Sequence, residues 1–215
     1  MKERKITLTL DNARELYNSN NETLKKIALQ VFDESELKND FRSIKSFKDA
    51  CDVLELDYEE VIIETYYVGK ISKASAAMFK LNIIRKALNL GQDLHLTKNP
   101  KDSYIYYPSL QLISEGSESC EKERNLGKMG VIGKIKSEGE EYCVFGGCAY
   151  NSYDKGLGTF LPDYKVGLAY PSVGFLGCAS QEIAQHFGKY FGMLIVEAEY
   201  GDMIDFEIIS KHYID

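Results

Sequence analysis

The residues best equipped for chemistry in this chain are five cysteines (Cys51, Cys120, Cys143, Cys148, Cys178) and three histidines (His95, His186, His212). Metal binding needs several thiolates or imidazoles to converge, and neither Cys-x-x-Cys nor any other strong zinc spacing occurs. Cys143 and Cys148 are five residues apart, so on an unbroken strand they face opposite sides. A bulge at Gly146-Gly147 is what would bring them together, with Cys178 and His186 as further donors. That pattern assigns no metal ligand. Nucleophilic catalysis needs a nucleophile, a base and an orienting group. Cys178 and His186 can meet only through folding, and no Gly-x-Ser-x-Gly elbow is present. Asp202, Asp205 and Glu207 read as solvated acids near the C-terminus. The glycine clusters Gly127–Gly133 and Gly156–Thr159 do not open a helix, so they read as turns and bulges, not as phosphate loops. No catalytic residue and no cofactor follows from these patterns.

A binding role has more to build on. Of the 15 tyrosines, the run Tyr104, Tyr106, Tyr107, Tyr142, Tyr150, Tyr153, Tyr164, Tyr170 falls where strands are expected. Tyrosine on a sheet gives rigid contact area with a polar tip, and it also suits half-buried strands for packing alone. A small-ligand cleft in this Gly/Tyr/Cys-rich half would draw on His186, Cys178, Tyr150 and Tyr153.

The elements that position these residues change character near residue 95. Before it glycine is nearly absent (Gly69, Gly91); after it lie the other glycines and all four prolines. The shift predicts a helical part over 1–95 and a strand-rich part over 96–215, as one integrated domain or two. In the first part Ile6, Leu8 and Leu10 alternate like a short strand. Asp11 then caps a helix over Asn12–Asn18, and Asn20 or Asn21 one over Glu22–Phe32. Ser46 with Asp49 forms a capping box for Phe47–Leu54, Asp57 caps Tyr58–Glu64, and Ser72 opens a helix to Leu90 that Gly91 closes. In the second part strands are expected at Tyr104–Ile113, Val131–Lys136, Tyr142–Tyr150, Val166–Tyr170 and Phe206–Ile209. Pro108 limits the first of these to an edge, and the polar link Ser137–Glu141 reads as a hairpin. Ser180 caps a long helix from Gln181 to about Val196. Ile183, Phe187, Tyr190, Phe191 and Leu194 form its stripe, and Gly188 and Gly192 suit close packing on the sheet. The expected class is α+β: a helical N-terminal part packed with a mainly antiparallel sheet and a long C-terminal helix.

Charge narrows the partners. The net charge is −7, so long-range attraction to a phosphate backbone is lacking. The pair Phe47–Ile63 has the length of a helix-turn-helix, but its second helix opens with Asp57, Glu59 and Glu60, which repel phosphates. No nucleic-acid partner is expected. The N-terminal stretch lacks a signal-peptide core, and no apolar run approaches the roughly 20 residues of a membrane span. The odd number of cysteines then fits reduced thiols in a protein neither secreted nor membrane-embedded.

Several stretches resemble a family of uncharacterised proteins of Bacteroidetes phages and prophages, crAss-like phages included. They are Leu8–Leu37 (LTLDNARELYNSNNETLKKIALQVFDESEL), Ser46–Leu56 (SFKDACDVLEL), Met78–Gly91 (MFKLNIIRKALNLG), the Tyr-Tyr-Pro at 106–108, and Val173–Phe191 (VGFLGCASQEIAQHFGKYF). The chain departs from that pattern at Ser109, where relatives carry an aromatic, and in the polar stretch Gly116–Gly133. The resemblance implies a phage or prophage origin and a place in the bacterial host cytoplasm or the virion. It brings no reaction and no catalytic residues. The expected function is a non-enzymatic accessory or structural protein acting through a protein partner or self-association. The alternative is a ligand-binding protein or enzyme using the cleft named above.

Overall fold

The computed structural model describes residues 8–34, 37, 40–89, 105–127, 130–152 and 176–211. Among them are seven α-helices and four strands. Before the composition break come α1 (Leu10–Tyr17), α2 (Glu22–Leu29), a 3₁₀ turn (Phe41–Ser43), α3 (Phe47–Val53), α4 (Tyr58–Gly69) and α5 (Lys73–Leu88). After it come β1 (Ile105–Ser114), α6 (Glu118–Leu126), β2 (Gly130–Ser137), β3 (Glu140–Ser152), α7 (Gln181–Tyr200) and β4 (Glu207–Lys211). The class is α+β, with one antiparallel sheet in the order β1-β3-β2-β4 and a long C-terminal helix.

Side chains that satisfy orphan N–H groups set the helix starts. Asn21, Asp57, Ser72 and Ser180 cap α2, α4, α5 and α7 as expected. At α3 the capping box is complete: Ser46 Oγ accepts the Asp49 N–H, and Asp49 Oδ2 accepts the Ser46 N–H at 2.9 Å. The opening of the chain differs from expectation. Thr9, not Asp11, is the cap of α1, and Leu10 is helical, because Thr9 Oγ1 accepts the Asn12 N–H. Helix α6 was not anticipated. It carries one buried side chain, Cys120, so it shows no apolar period; its signals are Ser117 at the cap and Gly127 in the left-handed region at its end. The expected strand at Val166–Tyr170 and the closing Gly91 lie outside the described residues.

Pro108 sits on an edge strand, and the edge is the right place for it. The N–H and C=O of the preceding alternate residue, Tyr106, point away from β3 and pair with Cys178. Pro108, two residues on, directs its proton-less nitrogen to that same outer side, so no ladder bond is lost. The hairpin between β2 and β3 turns on Glu138 and Gly139 alone. Both have positive φ (52° and 83°), as a two-residue turn matching strand twist requires.

The sheet has two covered faces. In β3, Tyr142 and Val144 belong to the main core with α7, whereas Cys143 and Phe145 face α6. Helix α7 lies on β1 and β3 and is covered on its other side by α5, so it is buried almost all round. Its stripe is wider than the five expected residues: Ala184, Met193, Ile195 and Val196 are buried too, while Tyr190 and Leu194 are half-buried. The main core joins Ile44, Leu81, Ile84 and Leu88 to Leu110, Ile132, Val144 and Phe187, from both sides of the composition break. Helices α1 and α2 form a cluster of their own around Ala13, Tyr17, Ala28 and Leu37.

Glycines make the contact between α7 and the sheet. A Cβ added at Gly192 would strike Ile132 Cδ1 and stand 2.8 Å from Leu110 Cδ2. One added at Gly146 would stand 2.6 Å from the Gly188 carbonyl oxygen and 2.7 Å from Ile132 Cδ1. The Gly188 oxygen is backbone and cannot rotate away. Gly146→Ala should therefore lower stability by about 1–3 kcal/mol, the range for overpacking. Phe187→Ala should lower it by about 3–5 kcal/mol. Gly130→Ala, whose methyl would meet nothing within 4 Å, should change it by less than about 0.5 kcal/mol. Chemical denaturation of the three variants is the check; a neutral Gly146→Ala would show that α7 and β3 are not in close apposition.

Candidate functional site

Among the described residues, the densest group of reactive side chains lies on the α6 side of the sheet. β1 ends at Ser114, and the next residue, Glu115, stays in register through its N–H to the Glu141 carbonyl at 2.8 Å. Helix α6 presents Cys120 and Arg124, four apart, on one face. Strand β3 adds Cys143 and β2 adds Lys134. Glu115, Cys120 and Cys143 each offer a ligand atom, and these atoms lie within 4.8 Å of one another. The Cys143 thiol donates to Glu115 Oε2 at 2.5 Å. Arg124 Nη2 donates to Glu115 Oε1 at 2.8 Å and contacts Cys143 Sγ at 3.1 Å. Lys134 Nζ stands 3.2 Å from Glu115 Oε2.

The electrostatics follow from those contacts. The thiol hydrogen bond from Cys143, then the Arg124 guanidinium, hold the Glu115 carboxyl down at about 2. Burial first, and then the neighbouring Glu115 carboxylate and Cys120, push the Cys143 thiol up to about 12. Cys143 is therefore a protonated donor at neutral pH, not a ready nucleophile. By sequence, Cys143 and Cys148 face opposite sides unless a bulge at Gly146-Gly147 brings them together. The backbone does bulge at Gly146-Gly147, but the side chain of Cys148 lies outside the described residues, and the cysteine seen beside Cys143 is Cys120. Nothing in the sequence pattern of α6 pointed to that.

The four residues named for a ligand cleft are placed as follows. Cys178 is buried next to β1, hydrogen-bonded through its backbone to Tyr106. Its thiol donates to the Leu176 carbonyl at 3.4 Å, and burial pushes it up to about 12. His186 lies two turns further on, on α7. Its Nε2 meets the Ile44 carbonyl at 2.6 Å, so it carries the proton and donates it. The ring stands edge-on to Phe41 and tilts against Tyr190, with centroids 5.5 and 4.5 Å away. Tyr150 is in β3 opposite Tyr107. Its side chain, and the whole of Tyr153, lie outside the described residues. A small pocket, which His186 does not line, is bounded by Phe47, Tyr58, Tyr190 and Phe191 with Lys80 and Lys211. It lies between the helical part and α7.

Asp202 is exposed, as expected of a solvated acid, but it also has a structural role. Its carboxylate accepts from Ser72 Oγ at 2.5 Å and from the Lys73 and Ala74 N–H groups at 2.8 and 3.3 Å, so it caps α5 from the far end of the chain. Ile71 precedes Ser72 in the chain, and Met203 and Ile204 follow Asp202, so the junction joins the two segments that carry them. Ile71 is 90% exposed and Ile204 fully exposed. Tyr66 and Tyr67 are exposed one turn earlier, with Lys70 Nζ 4.6 and 5.6 Å from their ring centres.

Burial, helped by the positive charges of Lys189 and Lys45 and opposed by the Ile44 hydrogen bond and Asp40, lowers the His186 pKa. Below the ordinary histidine value of about 6.5 the unfolded chain binds a proton that the folded imidazole resists. Stability should therefore rise with pH up to that value and be lost as pH falls below it. His186→Gln, which can still donate to Ile44, should flatten that dependence between pH 5 and 7 in denaturant titrations. Parallel curves for the two proteins would exclude His186 as the source.

Comparison with protein-family models, with curated proteins and with solved structures finds no match to this chain.

Proposed function

We propose that this chain is a non-enzymatic accessory or structural protein of a phage or prophage that works through protein contacts, in the first place with a second copy of itself. The observation that carries the contact role is the exposed apolar strip Tyr66, Tyr67, Ile71, Met203 and Ile204. Isolated exposed apolar residues are ordinary, but several large ones on two distant segments that a hydrogen-bonded junction joins fit an interaction surface. The strip spans the end of α4 and the α7–β4 turn, and the Ser72–Asp202 contact holds its two halves in place. Lys70 and Lys73 flank one half and Asp202 and Asp205 the other. A surface carrying both signs can be self-complementary about a two-fold axis. The phage setting rests on the resemblance of the stretches from Leu8–Leu37 to Val173–Phe191.

Nothing among the described residues assembles a nucleophile, base and orienter.

Sedimentation velocity over a range of concentrations tests the contact role. The wild-type protein should self-associate, and Ile71→Asp with Ile204→Asp should make it monomeric while leaving stability within about 0.5 kcal/mol, since both side chains are exposed. A wild-type protein that stays monomeric at every concentration would remove self-association, and an oligomer indifferent to both substitutions would remove the strip.

A further inference from the structure

We propose that Glu115, Cys120 and Cys143 form a binding site for one thiophilic divalent cation, Zn²⁺ in the first instance. The three donors come from the end of β1, from α6 and from β3, so folding and not sequence proximity brings their ligand atoms within 4.8 Å. Two thiolates and a carboxylate are a donor set that zinc takes, and the soft sulfurs select it over Mg²⁺ or Ca²⁺. Both cysteines are buried, which keeps the sulfurs from other chemistry, while the Glu115 side chain is 26% exposed and gives the cation a way in.

The surroundings suit the charge. Two thiolates and one carboxylate carry three negative charges, and the cation returns two. Arg124 and Lys134, already at 2.8 and 3.2 Å from Glu115, face the remainder. Cys120 is the third residue of α6, a nine-residue helix, where the N-terminal dipole favours an anion. Arg124 is placed to donate to Cys143 Sγ from outside the ligand set, the role of an outer partner that orients a ligand.

Without the cation, the Cys143 proton fills the gap as the hydrogen bond to Glu115. On binding, two thiol protons leave, the Cys143–Glu115 separation opens from 2.5 Å toward the roughly 3.5 Å edge of a zinc tetrahedron, and the fourth position falls to water. A Cys120–Cys143 disulfide is the weaker reading. It would need an external two-electron oxidant, and it gives Glu115, Arg124 and Lys134 no part.

The test uses the full chain, reduced and stripped of metal, titrated with Co²⁺ and then Zn²⁺. One equivalent of Co²⁺ should release two protons per chain and produce intense thiolate-to-cobalt absorption in the near ultraviolet, which Zn²⁺ abolishes by displacing the Co²⁺ with no further proton release. Cys120→Ser and Cys143→Ser should each weaken binding at least tenfold and reduce the band. Glu115→Gln, at a partly exposed position that leaves the core intact, should weaken binding about tenfold or more while keeping the two-sulfur band. Absence of a thiolate band in the wild-type protein with excess Co²⁺ would overturn the proposal, as would a band that persists undiminished in the serine variants.

Discussion

The approach of α7 to the sheet governs the rest of this molecule. On the helix the Gly188 carbonyl meets Gly146, and Gly192 meets Leu110 and Ile132, at distances that leave no room for a methyl group at Gly146 or Gly192. Each helical glycine costs about 1 kcal/mol of propensity relative to alanine, and the burial of Phe187, Phe191, Ile195 and Val196 offsets it. Because the helix sits so deep, its outer side is free to bury a second layer, and α5 supplies it. Asn89 fixes that layer at one end: its amide donates to the Arg85 and Gly177 carbonyls and accepts the Ala179 N–H at 2.7 Å. Asp202 fixes the other end by capping α5. The helical part is thus fastened to α7 at both ends by side chains that satisfy backbone groups.

Much of this was legible because local rules and global packing agree. Ser46 with Asp49, Asp57, Ser72 and Ser180 are caps whose chemistry is confined to three or four residues, so sequence suffices to find them. Pro108 announced an edge and the glycines of α7 announced a close contact. What escaped was non-local. The Glu115 carboxylate, the Cys120 thiol and the Cys143 thiol are separated by a helix and a hairpin, and no spacing rule joins them. Asp202 is the exposed acid it looked like, and its capping of α5 escaped because its partners, Ser72 and Lys73, are about 130 residues away. His186 was visible as a lone imidazole on a helix, but its partner is a backbone carbonyl, Ile44, and any residue type supplies one.

The side-chain distribution between the two sheet faces depends on irregularities in the strands. An unbroken strand would put Val131 and Lys134 on opposite faces, and likewise Ile132 and Ile135. The register of β2 against β3 slips between Val131 and Gly133, so one extra residue is inserted at Ile132. As a result Val131 and Lys134 both face α6, and Ile132 and Ile135 both enter the core under α7. One bulge therefore does two things. It fills the gap that Gly192 leaves with Ile132, and it brings the Lys134 ammonium to Glu115. The packing of the C-terminal helix and the charge balance of the Glu115–Cys120–Cys143 group are consequences of the same inserted residue, on opposite sides of one strand.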